Sequence, residues 1–409
     1  MKPMGPIPPE FAGQRGALMI GERTAQDWVA EAGSPCFVYD PAIVAARVAR
    51  FRAALPGIDL HYAMKANPHP TLLAAIAPLV DGIDVASAGE LAIARAEMPA
   101  ARISFAGPGK RDAELQAAIA AGATLNAEST GEVRRALAIG ERLGRQPRLA
   151  VRVNPDLELK GSGMKMGGRP SPFGIDAERA ADAVRLIRDG AADWRGFHIF
   201  AGSQALDPQA IIETQTATVA LAARLAEEAG APPPLVNLGG GFGVPYFSGD
   251  VAVDVERIGA ALAETLAARP AILAGAGFAI ELGRWLVAEA GVYLTRVVDR
   301  KESRGETFLV VDGGLHHQLA ASGNFGTVVR RNYPVAVAHR MGEEAGLEEV
   351  SVVGCLCTPL DRLADRVALP RAEPGDVIAI FLAGAYGLTA SPTAFLGHPA
   401  PVECVAGLS

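Results

Sequence analysis

Between residues 58 and 284 the chain repeats one unit: a short apolar run rich in strand formers, a turn of Gly, Pro, Asn or Ser, then an Ala-rich amphipathic stretch. The runs are Ile58–Ala63, Gly82–Ala86, Arg102–Ala106, Ala123–Ala127, Arg148–Val153, Gly196–Phe200, Leu235–Leu238 and Phe278–Glu281. The stretches between them read as helices. Over 177–189, Ala180, Ala183, Val184 and Ile187 fall at i, i+3, i+4, i+7, with Glu178, Arg179, Asp182, Arg185 and Arg188 elsewhere, so one helical face is buried. Eight strand–helix alternations match a (β/α)8 barrel, whereas an open doubly wound sheet usually stops at roughly five to seven strands. After Arg284 the rhythm changes to strand-like runs separated by turns: VAEAGVYLTRVVDRK, ETFLVVDGG, EVSVVGCLC and GDVIAIFLAGAY. The sequence therefore predicts an α/β chain with a barrel over 36–290 and a mainly antiparallel β-domain from 1–35 and 291–409. The early strand CFVYD is a candidate to pair with that β-domain.

Composition narrows the function. With 409 residues, 50% hydrophobic and 20% charged, the chain has the apolar surface to fold. Lys+Arg 38 against Asp+Glu 45 gives a net charge of −7, so there is no basic field for nucleic acid or an anionic membrane. Neither an apolar leader nor a run of about 18 apolar residues is present, and four cysteines make no disulfide framework; a cytoplasmic location is expected.

In a barrel, functional residues gather where strands end and their following loops begin. Past the eight run ends stand Lys65, Asp84 with Ser87, Gly107 with Gly109, Glu128, Asn154, His198 with Ser203, Gly239–Gly241, and Glu281 with Arg284. A lysine, an imidazole, carboxylates, an arginine and a glycine triplet on one rim suit an anionic, ring-bearing cofactor. Lys65, in HYAMKANP, is placed to act as an amine nucleophile, or its stem covers apolar surface while its head reaches water. The triplet of LGGGFGVPY leaves backbone N–H groups uncovered for a phosphate, though tight turns also use such a run; it lacks the Walker lysine and the GxGxxG spacing. Glu281 suits a pyridinium partner, or closes the barrel in an ion pair with Arg284. His198 either stacks on a ring or is a hydrogen-bonded core residue. No metal site is expected: Cys355 and Cys357 with one spacer lack a second ligand pair, and His316 and His317 would face opposite sides of a strand.

Together HYAMKANP, GIDVASAGEL, GFHIFAGSQ, LGGGFGVPY and ELGRWLV, continued by VVDGGLHH, GCLCTPLD and AGAYGLTASP, resemble the fold-type III pyridoxal-phosphate decarboxylases, the group of the ornithine, arginine and diaminopimelate enzymes. The likeness covers nearly the whole chain. It implies pyridoxal 5′-phosphate as cofactor, Lys65 as the Schiff-base lysine, His198 as the stacking ring and Glu281 as the partner of the pyridine nitrogen. Asp84 would sit near Lys65; Ser203, Gly240, Gly241, Arg284 and Tyr386 would surround the cofactor's phosphate, and Gly239 and Gly283 would complete the cofactor-binding set. It also implies a homodimer with the active site at the subunit interface, where the partner chain supplies Cys357. The catalytic set is then Lys65, Cys357, His198 and Glu281, with Lys65 or Cys357 as the proton donor to Cα. A carboxylate at 281 makes the ring a strong electron sink, which favours decarboxylation over racemisation.

One departure bears on the substrate. The residue after the specificity cysteine is usually acidic in the diamine-forming and diaminopimelate enzymes, and here it is Thr358. A threonine leaves a buried ammonium unpaired, at a cost of several kcal/mol, although Asp361 stands nearby to compensate in part. GSGMKMGGRPSPFGI, VDGGLHHQLAASGNFGTVVRRNYP and GCLCTPLD look closest to the biosynthetic-cluster subgroup of this family, which includes the carrier-protein-linked glutamyl decarboxylase of butirosin biosynthesis and the exosortase-associated decarboxylases. The expected reaction is α-decarboxylation of an amino acid joined through its distal acyl group to a carrier protein. The alternatives are a decarboxylase of diaminopimelate or another free amino acid, and a racemase using the same cofactor. Arg330, Arg331, Tyr333, Thr358, Asp361 and Tyr386 are the candidate substrate contacts; the two arginines would bind an anion or form a solvated loop pair. Lys160 and Lys165 lie in a Gly-rich stretch that reads as a loop able to close over a ligand.

Overall fold

Each of the eight apolar runs is a strand: β1 (Asp59–Ala63), β2 (Gly82–Val85), β3 (Ile103–Phe105), β4 (Thr124–Ala127), β5 (Arg148–Asn154), β6 (Asp193–Ile199), β7 (Leu235–Gly240) and β8 (Gly277–Leu282). All neighbours are parallel and follow chain order, and β8 pairs with β1, so the sheet closes into a barrel. The computed structural model describes residues 1–156, 164–165, 170–323 and 330–407, with backbone only at 164–165. It divides into a barrel unit, Arg47–Gly243 with Val253–Gly283, and a β-unit, Met1–Ala46 with Val244–Ala252 and Arg284–Ser409.

The connections show why the repeat folds this way. Helices α1 (Pro70–Ile76), α2 (Ala88–Glu97), α3 (Asp112–Ala121), α4 (Thr130–Leu143), α5 (Ala177–Asp189), α6 (Pro208–Ala229) and α7 (Val255–Ala267) follow β1 to β7 in turn. Several start on a side-chain cap at the loop: Ser87 accepts from Glu90 N–H, Ser129 from Glu132 N–H and Asp254 from Arg257 N–H. Helices α3, α4 and α6 stop at Gly122, Gly144 and Gly230 in the left-handed conformation that exempts glycine from a Cβ clash. On α5, Ala180, Ala183, Val184 and Ile187 are buried as their spacing predicts. The strands are buried nearly throughout, as a parallel sheet covered by helices requires. Register then fixes the rim. Asp84 lies opposite Ala63, Asn237 opposite His198, and Glu281 opposite both Gly240 and His61.

In the β-unit, β9 (Gly291–Ser303), β10 (Glu306–Val311), β11 (Val335–Val337), β12 (Leu347–Val353), β13 (Arg362–Pro370) and β14 (Val377–Ile380) form a sheet ordered β11-β14-β9-β10-β12-β13. All pairings are antiparallel except β10 with β12. Cys36–Tyr39 pairs antiparallel with β9, and β15 (Val402–Val405) adds in parallel beside it. The barrel segment drawn at 36–290 thus begins with a strand of the other sheet, because the apolar Cys36–Tyr39 finds its edge on β9. One sequence expectation is overturned: His316 and His317 sit in a turn, not a strand, so their rings lie together with centroids 3.7 Å apart. No helix among the described residues is long and apolar enough to cross a membrane.

Candidate active site

At the C-terminal end of the barrel strands, β1 hands over to a single turn of 3-10 helix, Met64–Ala66, that presents Lys65. Its neighbours Met64 and Ala66 are buried while Lys65 is exposed, with Nζ 5.6 Å from the centre of the Phe200 ring. A lysine held by buried flanks with its head exposed is the geometry an amine nucleophile needs.

Opposite stand two buried groups joined directly. His198 Nε2 lies 2.8 Å from Glu281 Oε2, and Asn237 Nδ2 reaches the same oxygen at 3.4 Å. Burial opposes ionisation of Glu281, but the charge and hydrogen bond of His198, with Lys65 and Arg152 behind them, outweigh it and hold the carboxyl well below the usual carboxylate range. Glu281 is a fixed negative charge at neutral pH. Arg284, the alternative partner for this carboxylate, belongs to the other unit, and the histidine is the partner found within the barrel. Asp84 takes its contact from His61, Nδ1 to Oδ1 at 3.3 Å, and burial pushes its carboxyl upward against the pull of that imidazole.

The glycine triplet serves the sheet first. A Cβ on Gly240 would stand 1.8 Å from the Glu281 carbonyl oxygen, so only glycine lets β7 approach β8 there. The Gly239 N–H donates to Asn237 Oδ1 at 2.8 Å and is not available to an anion. Ser203 forms a short antiparallel bridge with Met164. Two rim residues are structural: Glu128 accepts from Gly107 N–H, Gly174 N–H and Arg152, and Asn154 donates to Asp176.

The remaining candidates belong to the β-unit. Arg284 donates from Nη1 to the Tyr246 hydroxyl at 3.0 Å and lies 4.6 Å from the centre of the Tyr386 ring. Tyr333 is buried against Tyr246, their centroids 4.8 Å apart, and Arg331 covers Phe247 at 3.9 Å. Arg330 points to the carbonyls of Leu360 and Arg362. Cys357 is exposed and Thr358 half-buried on the loop Gly354–Asp361. Asp361 departs from its expected substrate role: it is 3% exposed, its Oδ1 accepts from Leu315 N–H at 2.6 Å and its Oδ2 from Leu356 N–H at 2.8 Å. Lys160 lies outside the described residues, and of Lys165 only the backbone is described.

Sequence reasoning missed Asn237, Phe200 and Tyr246. Asn237 had a signal, being a polar residue inside an apolar strand run; Tyr246 had none, because its partner is 38 residues away.

Residues 42–288 match the family model "pyridoxal-dependent decarboxylase, pyridoxal binding domain". The chain is 40% identical to the L-glutamyl-[BtrI acyl-carrier protein] decarboxylase of Niallia circulans, over 90% of this chain and 88% of that one. It is 31% identical to the 2-[(L-alanin-3-ylcarbamoyl)methyl]-2-hydroxybutanedioate decarboxylase of Staphylococcus aureus, over 89% and 92%. Among solved structures, the diaminopimelate decarboxylase of M. jannaschii in co-complex with L-lysine superposes with a TM-score of 0.87 at 26% identity, covering 98% of this chain and 92% of that chain. The barrel's own groups fit such a cofactor: besides the exposed amine and the ionised carboxylate, His198 Nδ1 and Asp84 Oδ2 are buried with no partner among the described residues. The chain belongs to the fold-type III pyridoxal-dependent decarboxylases and uses pyridoxal phosphate to decarboxylate an amino-acid moiety.

Proposed function

We propose that this enzyme removes the α-carboxylate of an amino acid whose distal end is a neutral acyl linkage to a carrier protein. The observation that carries this reading is the state of the Gly354–Asp361 loop. Thr358 offers no charge, and the one acid of that loop has both oxygens committed to backbone N–H groups. A free diaminopimelate, lysine or ornithine would bring a distal ammonium to a loop with no carboxylate to receive it, at a cost of several kcal/mol. The likeness to the carrier-protein-linked relative supports the same choice.

When bound, pyridoxal phosphate supplies an aldehyde that condenses with amines and a ring that accepts the electron pair left by the departing carboxylate. Lys65, presented by the turn after β1 with its amine exposed, would hold the cofactor. Glu281, kept ionised, would hold a proton at the ring nitrogen, and His198, fixed by Glu281, would offer its ring as the stacking surface. By the resemblance, Ser203, Gly240, Gly241, Arg284 and Tyr386 are assigned to the phosphate, and Gly283 to cofactor binding. By the same resemblance the enzyme is a homodimer in which Cys357 serves the other chain's site, and Lys65 or Cys357 returns the proton to Cα. Among the described residues all four cysteines are free thiols, which suits a reducing cytoplasm.

The test is a panel of free and carrier-loaded amino acids scored for carbon dioxide release and for inversion at Cα. Release from a carrier-loaded glutamyl group, at least about 10²-fold faster than from the free amino acids, is expected. Equal or faster release from free diaminopimelate or lysine would overturn the tethered substrate, and inversion without release would replace decarboxylation by racemisation.

A further inference from the structure

In the β-unit, His316, Cys355 and His398 are gathered although the decarboxylation chemistry assigns them nothing. Their ligand atoms all lie within 4.8 Å of one another, with Cys355 Sγ 3.9 Å from His398 Nδ1 and the rings of His316 and His398 5.2 Å apart. Zinc bonds of about 2.3 Å to sulfur and about 2.0–2.1 Å to nitrogen separate tetrahedral ligand atoms by about 3.3–3.6 Å. The three groups would close on an ion with movements of roughly 1 Å.

A second observation concerns His316 itself. It is fully buried, at 0% exposure, and neither ring nitrogen has a hydrogen-bond partner among the described residues. Its neighbour His317 shows what a satisfied imidazole in this place looks like, with Nδ1 3.1 Å from the Tyr293 hydroxyl and Nε2 3.1 Å from the Pro399 carbonyl. A buried imidazole with two idle nitrogens is costly unless something else is to bind there.

The arrangement is also held in advance. Asp361 accepts from Leu315 N–H, just before His316, and from Leu356 N–H, just after Cys355, and so clamps two ligand-bearing turns together. A Cβ on Gly314 or Gly354 would come within 2.5 or 2.2 Å of that carboxylate, so both turns need glycine to close on it. The contact of His317 with Pro399 ties the residue beside His316 to the residue beside His398. Buried support of this kind is what keeps metal ligands oriented.

From these observations we propose that His316, Cys355 and His398 form a binding site for a zinc-class divalent ion, with water as the fourth ligand. Two imidazoles and a thiolate select such an ion over calcium or magnesium, which take oxygen ligands. Binding replaces the thiol proton of Cys355, which leaves to solvent. The half-buried Cys355 and His398 leave the ion an entry path and room for the water. Cys355 therefore joins two histidines from elsewhere in the unit; its sequence neighbour Cys357 is exposed and takes no part.

The test uses the full-length, cofactor-loaded protein dialysed against zinc and then against metal-free buffer, with zinc measured by elemental analysis. About one zinc per chain is expected in wild type and in Cys357→Ser, and at least about tenfold less in Cys355→Ser and His398→Gln. Both of the last two positions are only half-buried, and retained cofactor absorbance checks that these variants fold. X-ray absorption at the zinc edge should show one sulfur at about 2.3 Å. No stoichiometric zinc in wild type, unchanged zinc in Cys355→Ser, or loss of zinc in Cys357→Ser would overturn the proposal. The decarboxylase assignment stands or falls separately on carbon dioxide release.

Discussion

The two units place their polar groups by different means. In the barrel, parallel register delivers Lys65, Asp84, His198 and Glu281 to the ends of β1, β2, β6 and β8. In the β-unit, turns around 314–316 and 354–361 have no ladder of their own, and the buried carboxylate of Asp361 joins them. Loss of Lys65 from the barrel rim should therefore cost chemistry and spare the fold, whereas loss of the Asp361 clamp should cost the fold locally.

The largest effect is expected at Lys65. Lys65→Ala should lower kcat by at least about 10³-fold with a nearly unchanged unfolding midpoint. A comparable loss of stability would break the distinction between the units.

Next comes Glu281→Gln, expected to lower kcat about 10²-fold through loss of the fixed charge. It also carries a pH signature. The Glu281 carboxyl is held below its ordinary value of 4.5, so its ionised contacts add stability that is complete above about pH 4.5 and is lost as the pH falls through the lowered value. Urea unfolding of wild type and Glu281→Gln should show a gap that is constant from neutral pH to about 4.5 and narrows below it; a gap that widens on acidification contradicts the assignment.

In the β-unit the order reverses. Asp361→Asn presents an amide donor to a backbone N–H and should cost about 1–3 kcal/mol in chemical denaturation. The smallest effect sharpens the substrate reading: Thr358→Glu should raise kcat/KM for free diaminopimelate about tenfold, or ~1.4 kcal/mol, and lower it for the carrier-linked substrate.

How far the sequence discloses each unit follows the same division. Eight strands with intervening helices repeat a period that local composition carries, so the barrel and its rim were legible. In the β-unit, β13 was not: Arg362, Asp365 and Arg366 break its apolar alternation, and it is a strand because it pairs antiparallel with β12, with Asp365 buried against Lys2 and Arg362. The short β11 and β15 likewise depend on edges supplied by β14 and Cys36–Tyr39. At the site, the Lys65 and Glu281 positions could be read from strand ends, while the Tyr246 contact to Arg284 and the Asp361 clamp join residues that only folding brings together. His316 was misplaced for a related reason: VVDGGLHH continues an apolar run, but β10 ends at Val311 and the glycines turn the chain.

The amine at position 65 remains the point on which the catalytic account rests. Borohydride reduction of the cofactor-loaded enzyme, followed by peptide mass mapping, should leave one pyridoxyl group on the lysine of the HYAMKANP segment; a label on another lysine, or none in saturated protein, would contradict it.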